Sequence, residues 1–299
     1  MQKKKYTLVY RTDLVNIGIG QGQRESVPYL SSHTEYDENG RVILQSSFSP
    51  DGLITEKVVL EYDDAGHVVH ETYFVDEGEP SEEKSYEYDE NGRVVKQLKH
   101  YIDGSTDTTS YLYNNDGLLT EKVTINDEDE VETRETFAYS GNKVIKHEMV
   151  DHEEDILLCE EFLYDAKGNI VEHIKDDEES GEYFKLVTKY NEDGRKLAEM
   201  LYNENDTLIE TTWFEEDSQG RIVQTVEENS RSRKVKHFRF DDSGNNLGYE
   251  ETNGNGDKMV VVEHLYDPEN NTVSSMVFVN GGGRSMSQHY ELKYEYEWY

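Results

Sequence analysis

Along most of the chain apolar and polar residues alternate, and turn residues break the alternation at regular intervals. Before each break two bulky residues stand two apart: Tyr86 with Tyr88, Tyr111 with Tyr113, Phe137 with Tyr139, Phe162 with Tyr164, and Phe238 with Phe240. That spacing puts both rings of a pair on one face of a strand. After the break comes an apolar pair, such as Val42-Ile43, Val68-Val69, Val94-Val95, Leu118-Leu119, Ile170-Val171 or Ile222-Val223, usually followed by polar and charged residues. No apolar run approaches the roughly 20 residues that a membrane helix needs, so no membrane insertion is expected.

Aligned on the last bulky residue before each break, the markers are Tyr36, Tyr62, Tyr88, Tyr113, Tyr139, Tyr164, Tyr190, Glu216, Phe240 and Tyr266, at steps of 24 to 26 residues. The turns read Tyr36-Asp37-Glu38-Asn39-Gly40, with close variants ending at Gly66, Gly92, Gly117, Gly168, Gly194 and Gly244. Asp or Asn bonds the backbone ahead of it and starts the turn, and glycine takes the positive φ that closes it. Tyr139-Ser140-Gly141 is a shortened form, Glu216 replaces the aromatic ring, and Asn270 stands where glycine is usual. A second turn signal lies midway through most units, for example Ser49-Pro50-Asp51-Gly52, Asp103-Gly104 and Asn253-Gly254-Asn255-Gly256.

Two turns per period leave about 13 residues for each strand and its turn, which fits a strand of about eight or nine residues and a short hairpin loop. The predicted fold class is all-β: tandem β-hairpin repeats of about 26 residues forming a long, twisted antiparallel meander, curved or spiral like a ribbon. The expected organisation is one continuous repeat domain over residues 31–280. A capping strand, Tyr6 to Tyr10, and the Gly18-Ile19-Gly20-Gln21-Gly22 loop occupy residues 1–30, and a second capping strand occupies 281–299. The two caps are expected to form opposite edges of the sheet, where exposed backbone groups would permit edge-to-edge self-association.

The phrase Tyr88-Asp89-Glu90-Asn91-Gly92-Arg93-Val94-Val95 and its variants at Tyr36 and Tyr164 resemble the YD repeat of RHS-type proteins and teneurins. That resemblance covers roughly residues 31 to 280 and implies a spiralling strand architecture; the motifs are structural and bring no catalytic residue. A weaker similarity is to MORN-like repeat antitoxin and immunity proteins, which also string aromatic-Gly hairpins into a sheet.

Composition sharpens the picture. Apolar residues are 34% and charged residues 32% of the 299, too little apolar material for a thick two-layer core, while 22 Tyr and 9 Phe argue against disorder. With 65 acidic and 30 basic residues the net charge is −35, which disfavours nucleic acid and anionic membranes as partners and favours a basic protein partner. Cys159 is the one cysteine, which rules out an intrachain disulfide. The start of the chain carries no apolar segment of signal-peptide length, and a cytoplasmic location is expected, with export by a signal-less route as the alternative.

No chemistry stands out. Carboxylates such as Glu153-Glu154-Asp155 and Asp176-Asp177-Glu178-Glu179 recur everywhere, so no pair is nominated as acid and base. The loops at Asn126–Glu130 and Asn253–Asp257 lack the distal Glu of a twelve-residue calcium loop. His147 and His152, five apart, fall on opposite faces of a strand, and neither glycine run completes a phosphate-binding loop. The basic cluster from Arg231 to Arg239 has cross-strand neighbours in Glu227-Glu228 and Glu250-Glu251. Catalytic, cofactor and metal residues are therefore expected to be none. The expected role is a non-enzymatic, protein-binding scaffold with an acidic, Tyr-rich surface, of immunity or antitoxin type and masking a basic partner. The alternative is a structural, shell or cell-surface YD-repeat protein with no soluble partner.

Overall fold

The computed structural model describes residues 2–16, 23–281 and 286–299. The expected Gly18–Gly22 loop lies outside them, as do residues 282–285. All assigned elements are β-strands. β1 (Lys4–Asn16) and the short β2 (Gln23–Glu25) come first. The repeats then supply β3 (Tyr29–Tyr36), β4 (Val42–Phe48), β5 (Ile54–Tyr62), β6 (Val68–Phe74), β7 (Glu82–Tyr88), β8 (Val94–His100) and β9 (Thr106–Tyr113). Next are β10 (Leu119–Ile125), β11 (Val131–Ser140), β12 (Lys143–Asp151), β13 (Ile156–Tyr164), β14 (Ile170–Asp177), β15 (Glu182–Tyr190) and β16 (Lys196–Tyr202). The last are β17 (Leu208–Glu216), β18 (Ile222–Asn229), β19 (Arg233–Phe240), β20 (Asn246–Asn253), β21 (Lys258–Tyr266), β22 (Thr272–Val279) and β23 (Gln288–Trp298). The fold class is the expected one: an all-β array of tandem antiparallel hairpins.

Local chemistry explains the hairpins. In the first one, the Asp37 amide donates to the Arg41 carbonyl at 2.8 Å and the Gly40 amide donates to the Asp37 carbonyl at 2.9 Å. This is a three-residue loop whose last position is left-handed, and it carries a bulge that shifts the register between Glu35 and Tyr36. Equivalent shifts accompany Tyr88, Tyr139, Tyr164, Tyr190, Phe240 and Tyr266. The midway turns at Asn126, Asp151, Asn203 and Asn253 use the same backbone bonds. Their left-handed position is filled by Asp129, Glu154, Asp206 and Gly256. Asn270 does the same job at φ 64°.

The described residues group into two compact units: residues 1–60, 73–80 and 214–299 form one, and 61–72 with 81–213 the other. Within each unit a strand of the meander touches little beyond its two neighbours. In the second unit the strands from β7 to β16 pair in simple succession. In the first, succession runs from β18 to β23 and from β3 to β5, and β1 joins the two runs.

That junction corrects the expected caps. Tyr6 lies opposite Glu35 of β3 on one side and opposite Glu297 of β23 on the other. Neither terminal strand is an edge at this point, because each satisfies the backbone groups of the other. The capping segments also belong to the ladder, which blurs the expected boundaries at residues 30 and 281: β3 begins at Tyr29, and β23 continues the pairing of β22.

Burial is shallow. The accessible area is 18862 Å², whereas a compact chain of 34.8 kDa would expose about 13,000 Å². Ser275, at 2% exposure, is the only fully buried side chain among the described residues, and Ala198 and Val262 are the only buried apolar ones. Alternation takes the place of a core: along β11, the side chains of Glu132, Arg134, Thr136 and Ala138 are exposed while Thr133, Glu135, Phe137 and Tyr139 are half-buried. At Gly248 a positive φ of 107° coincides with so close an approach of Val262 that a Cβ would collide with its carbonyl. Among the described residues no helix is long and apolar enough to cross a membrane.

Candidate functional site

The repeat markers form a spine along the turns. Each starting Asp uses one oxygen to accept two backbone amides, as Asp89 Oδ1 does from Asn91 and Arg93 at 2.9 Å each. Its other oxygen holds the side chain of the residue that follows the left-handed position: Arg41, His67, Arg93, Asn169, Arg221, Asn245 and Asn271 at 2.6 to 3.0 Å. The hydrogen bonds and charge of Arg93 pull the Asp89 carboxyl down to about 2. In several of these turns the residue after the glycine also lies on the next marker ring. His67 stacks on Tyr88 with centroids 4.6 Å apart, Arg93 sits 4.6 Å from the Tyr113 centroid, and Arg221 sits 4.7 Å from that of Phe240. Gly92 is required twice over, since a Cβ there would come within 2.7 Å of the His67 ring and its φ is 75°.

The marker phenols close the spine. Tyr88, Tyr113, Tyr139, Tyr164, Tyr190 and Tyr266 donate to the carbonyls of Val68, Val94, Leu119, Val144, Ile170 and Asn246 at 2.6 to 3.0 Å. Tyr36 and Tyr62 end β3 and β5, and the glycines Gly40, Gly66, Gly117, Gly168, Gly194 and Gly244 all occupy the left-handed turn position. One more member was hidden from the sequence: Tyr296 donates to the Thr272 carbonyl at 2.8 Å, in the role of a marker. It falls 30 residues after Tyr266 rather than 26, which takes it out of the sequence register.

A second constellation crosses β10 to β14. Lys122 Nζ lies 2.9 Å from Glu135, the two ring nitrogens of His147 lie 3.0 Å from Glu135 and Glu160, and His173 Nε2 lies 2.9 Å from Glu160. Only an imidazolium has two N–H donors, so two carboxylates on one ring call for the charged form of His147. The hydrogen bond to Glu135 raises the His147 pKa, with Glu160 adding to it against burial. Hydrogen bonding to His147 and Lys122 lowers Glu135; burial opposes the shift at Glu160, and its bonds to His147 and His173 still bring it down. Phe137 and Phe162 stack flat on the two imidazoles, with centroids 4.4 and 4.5 Å apart. His152, by contrast, stands on an exposed turn beside Glu153. The signal for this ladder was the 26-residue step from His147 to His173, the repeat period itself.

The third is a groove of about 750 Å³ in the first unit. Tyr296 and Trp298 wall it, their rings 6.0 Å apart and inclined by 36°. Lys4, the cross-strand partner of Trp298, places its ammonium 4.2 Å from the Tyr296 centroid and 5.8 Å from that of Trp298. Asp267, Glu269 and Asn271 complete the lining. The bond from the Asn271 amide holds the Asp267 carboxyl below its ordinary range, and burial pushes the Tyr296 phenol up to about 12. A neutral aromatic wall therefore faces an ionised carboxylate.

Other sequence candidates resolve as structural. The basic cluster is neutralised across strands by Lys234 with Glu227 at 2.6 Å, Lys236 with Glu251 at 3.3 Å and Arg239 with Glu263 at 3.1 Å. Cys159 is a half-buried residue of β13 whose thiol is pushed up by burial. Ser275 Oγ lies 2.8 Å from His264 Nδ1, but its burial denies any substrate access. Among the described residues no three His, Cys, Asp or Glu side chains are arranged to hold a metal ion.

No family profile matches the chain, and no curated protein does. Solved structures similar to it include one described as TcdB2-TccC3-Cdc42, with 10% identity and a TM-score of 0.35 over 94% of this chain and 19% of that one. The chain thus spans about a fifth of that neighbour's length. A porin-like protein from Bacteroides uniformis aligns with 9% identity and a TM-score of 0.33 over 98% of this chain and 96% of its own. A second, from Bacteroides vulgatus, aligns with 11% identity and a TM-score of 0.22 over 99% of both. None of these supports the similarity to MORN-like repeats. What the fold itself shows is a repeat-built β-scaffold.

Proposed function

We propose that the chain is a non-enzymatic scaffold of YD-repeat type that binds a basic protein partner, in the manner of an immunity or antitoxin protein. The observation that carries this is charge. The cations are largely engaged by carboxylates within the sheet, and even complete pairing of 30 bases would leave 35 of the 65 acids without one. Such a field attracts a basic partner and accelerates its association, strongly so at low salt. The Tyr-Asp turns with their closing glycines support the repeat type.

The polar side chains that could do chemistry are committed to the fold: His147 and His173 to glutamates, and Ser275 to a buried site. The exposed positions of β11 and β19, among them Glu132, Arg134, Arg233, Lys234 and Arg239, carry charge that a lipid-facing strand would not tolerate, in support of a partner met in water. The lone Cys159 thiol suits a reducing, cytoplasmic setting. Affinity capture at about 50 and 300 mM salt, with identification of the retained protein, tests the proposal. A basic partner lost at the higher salt is the expected result; an acidic partner, or retention indifferent to salt, overturns it.

A further inference from the structure

The groove at Tyr296 and Trp298 has the parts of a cation receptor. Two aromatic faces, inclined to each other, meet an ammonium at 4.2 and 5.8 Å, within the range over which a ring quadrupole attracts a cation. Asp267 and Glu269 line the same space, so the aromatic contact is joined by negative charge. Its 750 Å³ lies within the range of ligand sites, about 300 to 1,000 Å³. The ammonium now present belongs to the chain itself. Lys4 lies against the two rings and close enough to Asp267 to favour its ionised form, whereas the neighbouring Lys5 is paired to Glu297 at 3.0 Å.

We propose that this groove receives a lysine or arginine side chain from a basic partner segment, and that Lys4 is the internal occupant which the incoming cation displaces. The inference rests on the reading of the chain as a binder of basic proteins and names where on the scaffold a cationic side chain is read. Lys4 then acts as a built-in competitor: it keeps the rings covered and the site neutralised until a partner, presenting several cations at once, outcompetes a single tethered one.

Calorimetric titration of the full chain with octalysine at low salt provides the test, comparing the parent with Trp298→Ala, Glu269→Gln and Lys4→Ala. The first two should weaken binding by about fivefold, the size of a lost cation-ring or surface ion contact, and Lys4→Ala should tighten it by about as much. Lys293→Ala removes the same charge from an exposed side chain elsewhere on β23 and should change the affinity by less than about twofold. Glu269 and Lys4 are not needed for the turn or the ladder, so these variants report on the groove even if Trp298→Ala perturbs the strand. Octalysine affinity unmoved by both Glu269→Gln and Lys4→Ala overturns the groove while leaving the basic-partner reading in place. Failure of octalysine to bind any form at low salt overturns the reading itself.

Discussion

The phenol of Tyr164 donates to the main-chain carbonyl of Val144, 2.8 Å away and 20 residues back, and so ties one hairpin to the one before it. A carbonyl at the start of β12 thereby gains a partner that the bulged ladder leaves room for. Tyr164→Phe keeps the ring and removes the bond, and should lower the unfolding free energy by about 0.5–1.5 kcal/mol. The chain holds the reverse experiment at Phe240, where the ring stands under Arg221 without a hydroxyl. Phe240→Tyr should regain up to about 1 kcal/mol by reaching the carbonyl at the start of β18. Urea denaturation of both variants checks the pair, and a Tyr164→Phe variant as stable as the parent would sink the account.

The turn aspartates predict the acid limit of the fold. Asp89 binds protons far less readily in the folded chain, at about 2 against an ordinary 3.8, and Asp165, Asp217, Asp241 and Asp267 are lowered as well. Depressed carboxyls contribute stability that is fully present above the unfolded value and is lost as pH falls through the folded one. The loss should therefore begin near pH 4 and continue toward pH 2. Asn does the same capping at Asn114 and Asn191 without titrating. Asp89→Asn should then be less stable than the parent at pH 7, where the Arg93 pair is lost, and flatter in its dependence on pH between 4 and 2. Urea midpoints measured across that range decide it.

Gly248 offers a sharper steric test. Its φ of 107° and the approach of the Val262 carbonyl leave no place for a methyl group. Gly248→Ala should cost about 2–5 kcal/mol, combining backbone strain with overpacking in a ladder whose neighbour cannot retreat without breaking its own pairing. An unfolding midpoint within error of the parent's would show that β20 and β21 move apart freely.

What could be read from the sequence was local. The Tyr-Asp-x-x-Gly turn acts between residues no more than five apart, so Asp37, Gly40 and Arg41 announce their hairpin without help from the rest of the chain. Alternation of Phe137 with Tyr139 likewise fixes which face of β11 is covered. The pairing of β1 with β23 could not be read, because nothing near Lys4 reports that Trp298 will lie across from it. The groove inherits that blindness, being made where the two ends of the chain meet. The ladder at His147 escapes the sequence for another reason: metal-ligand spacing concerns residues of one strand, whereas the relation of His147 to His173 runs across strands at the repeat period. Tyr296 shows the limit of periodicity itself, since a longer connection shifts the number and keeps the bond.

The ladder gives the last prediction, and its sign differs from that of the turns. His147 has a raised folded value, so its contribution is complete below the ordinary 6.5 and is lost as pH rises through that raised value. Glu135 and Glu160 are lowered, so theirs is complete above 4.5 and is lost as pH falls. Both conditions hold together only between about pH 4.5 and 6.5, where Lys122, Glu135, His147 and Glu160 are all charged and alternate in sign across four strands. The second unit should therefore be more stable in mild acid than at pH 8, although the surplus of negative charge also eases as pH falls. His147→Phe separates the two effects: it keeps a ring against Phe137 and removes the titrating group, so the part of the pH dependence between 6 and 8 that belongs to the ladder should vanish while the general charge effect stays. Proton NMR of the imidazole should place the His147 transition above the ordinary 6.5. A transition at or below 6.5 would mean that the two glutamates do not hold the ring as a cation, and the stability difference would then have to come from net charge alone.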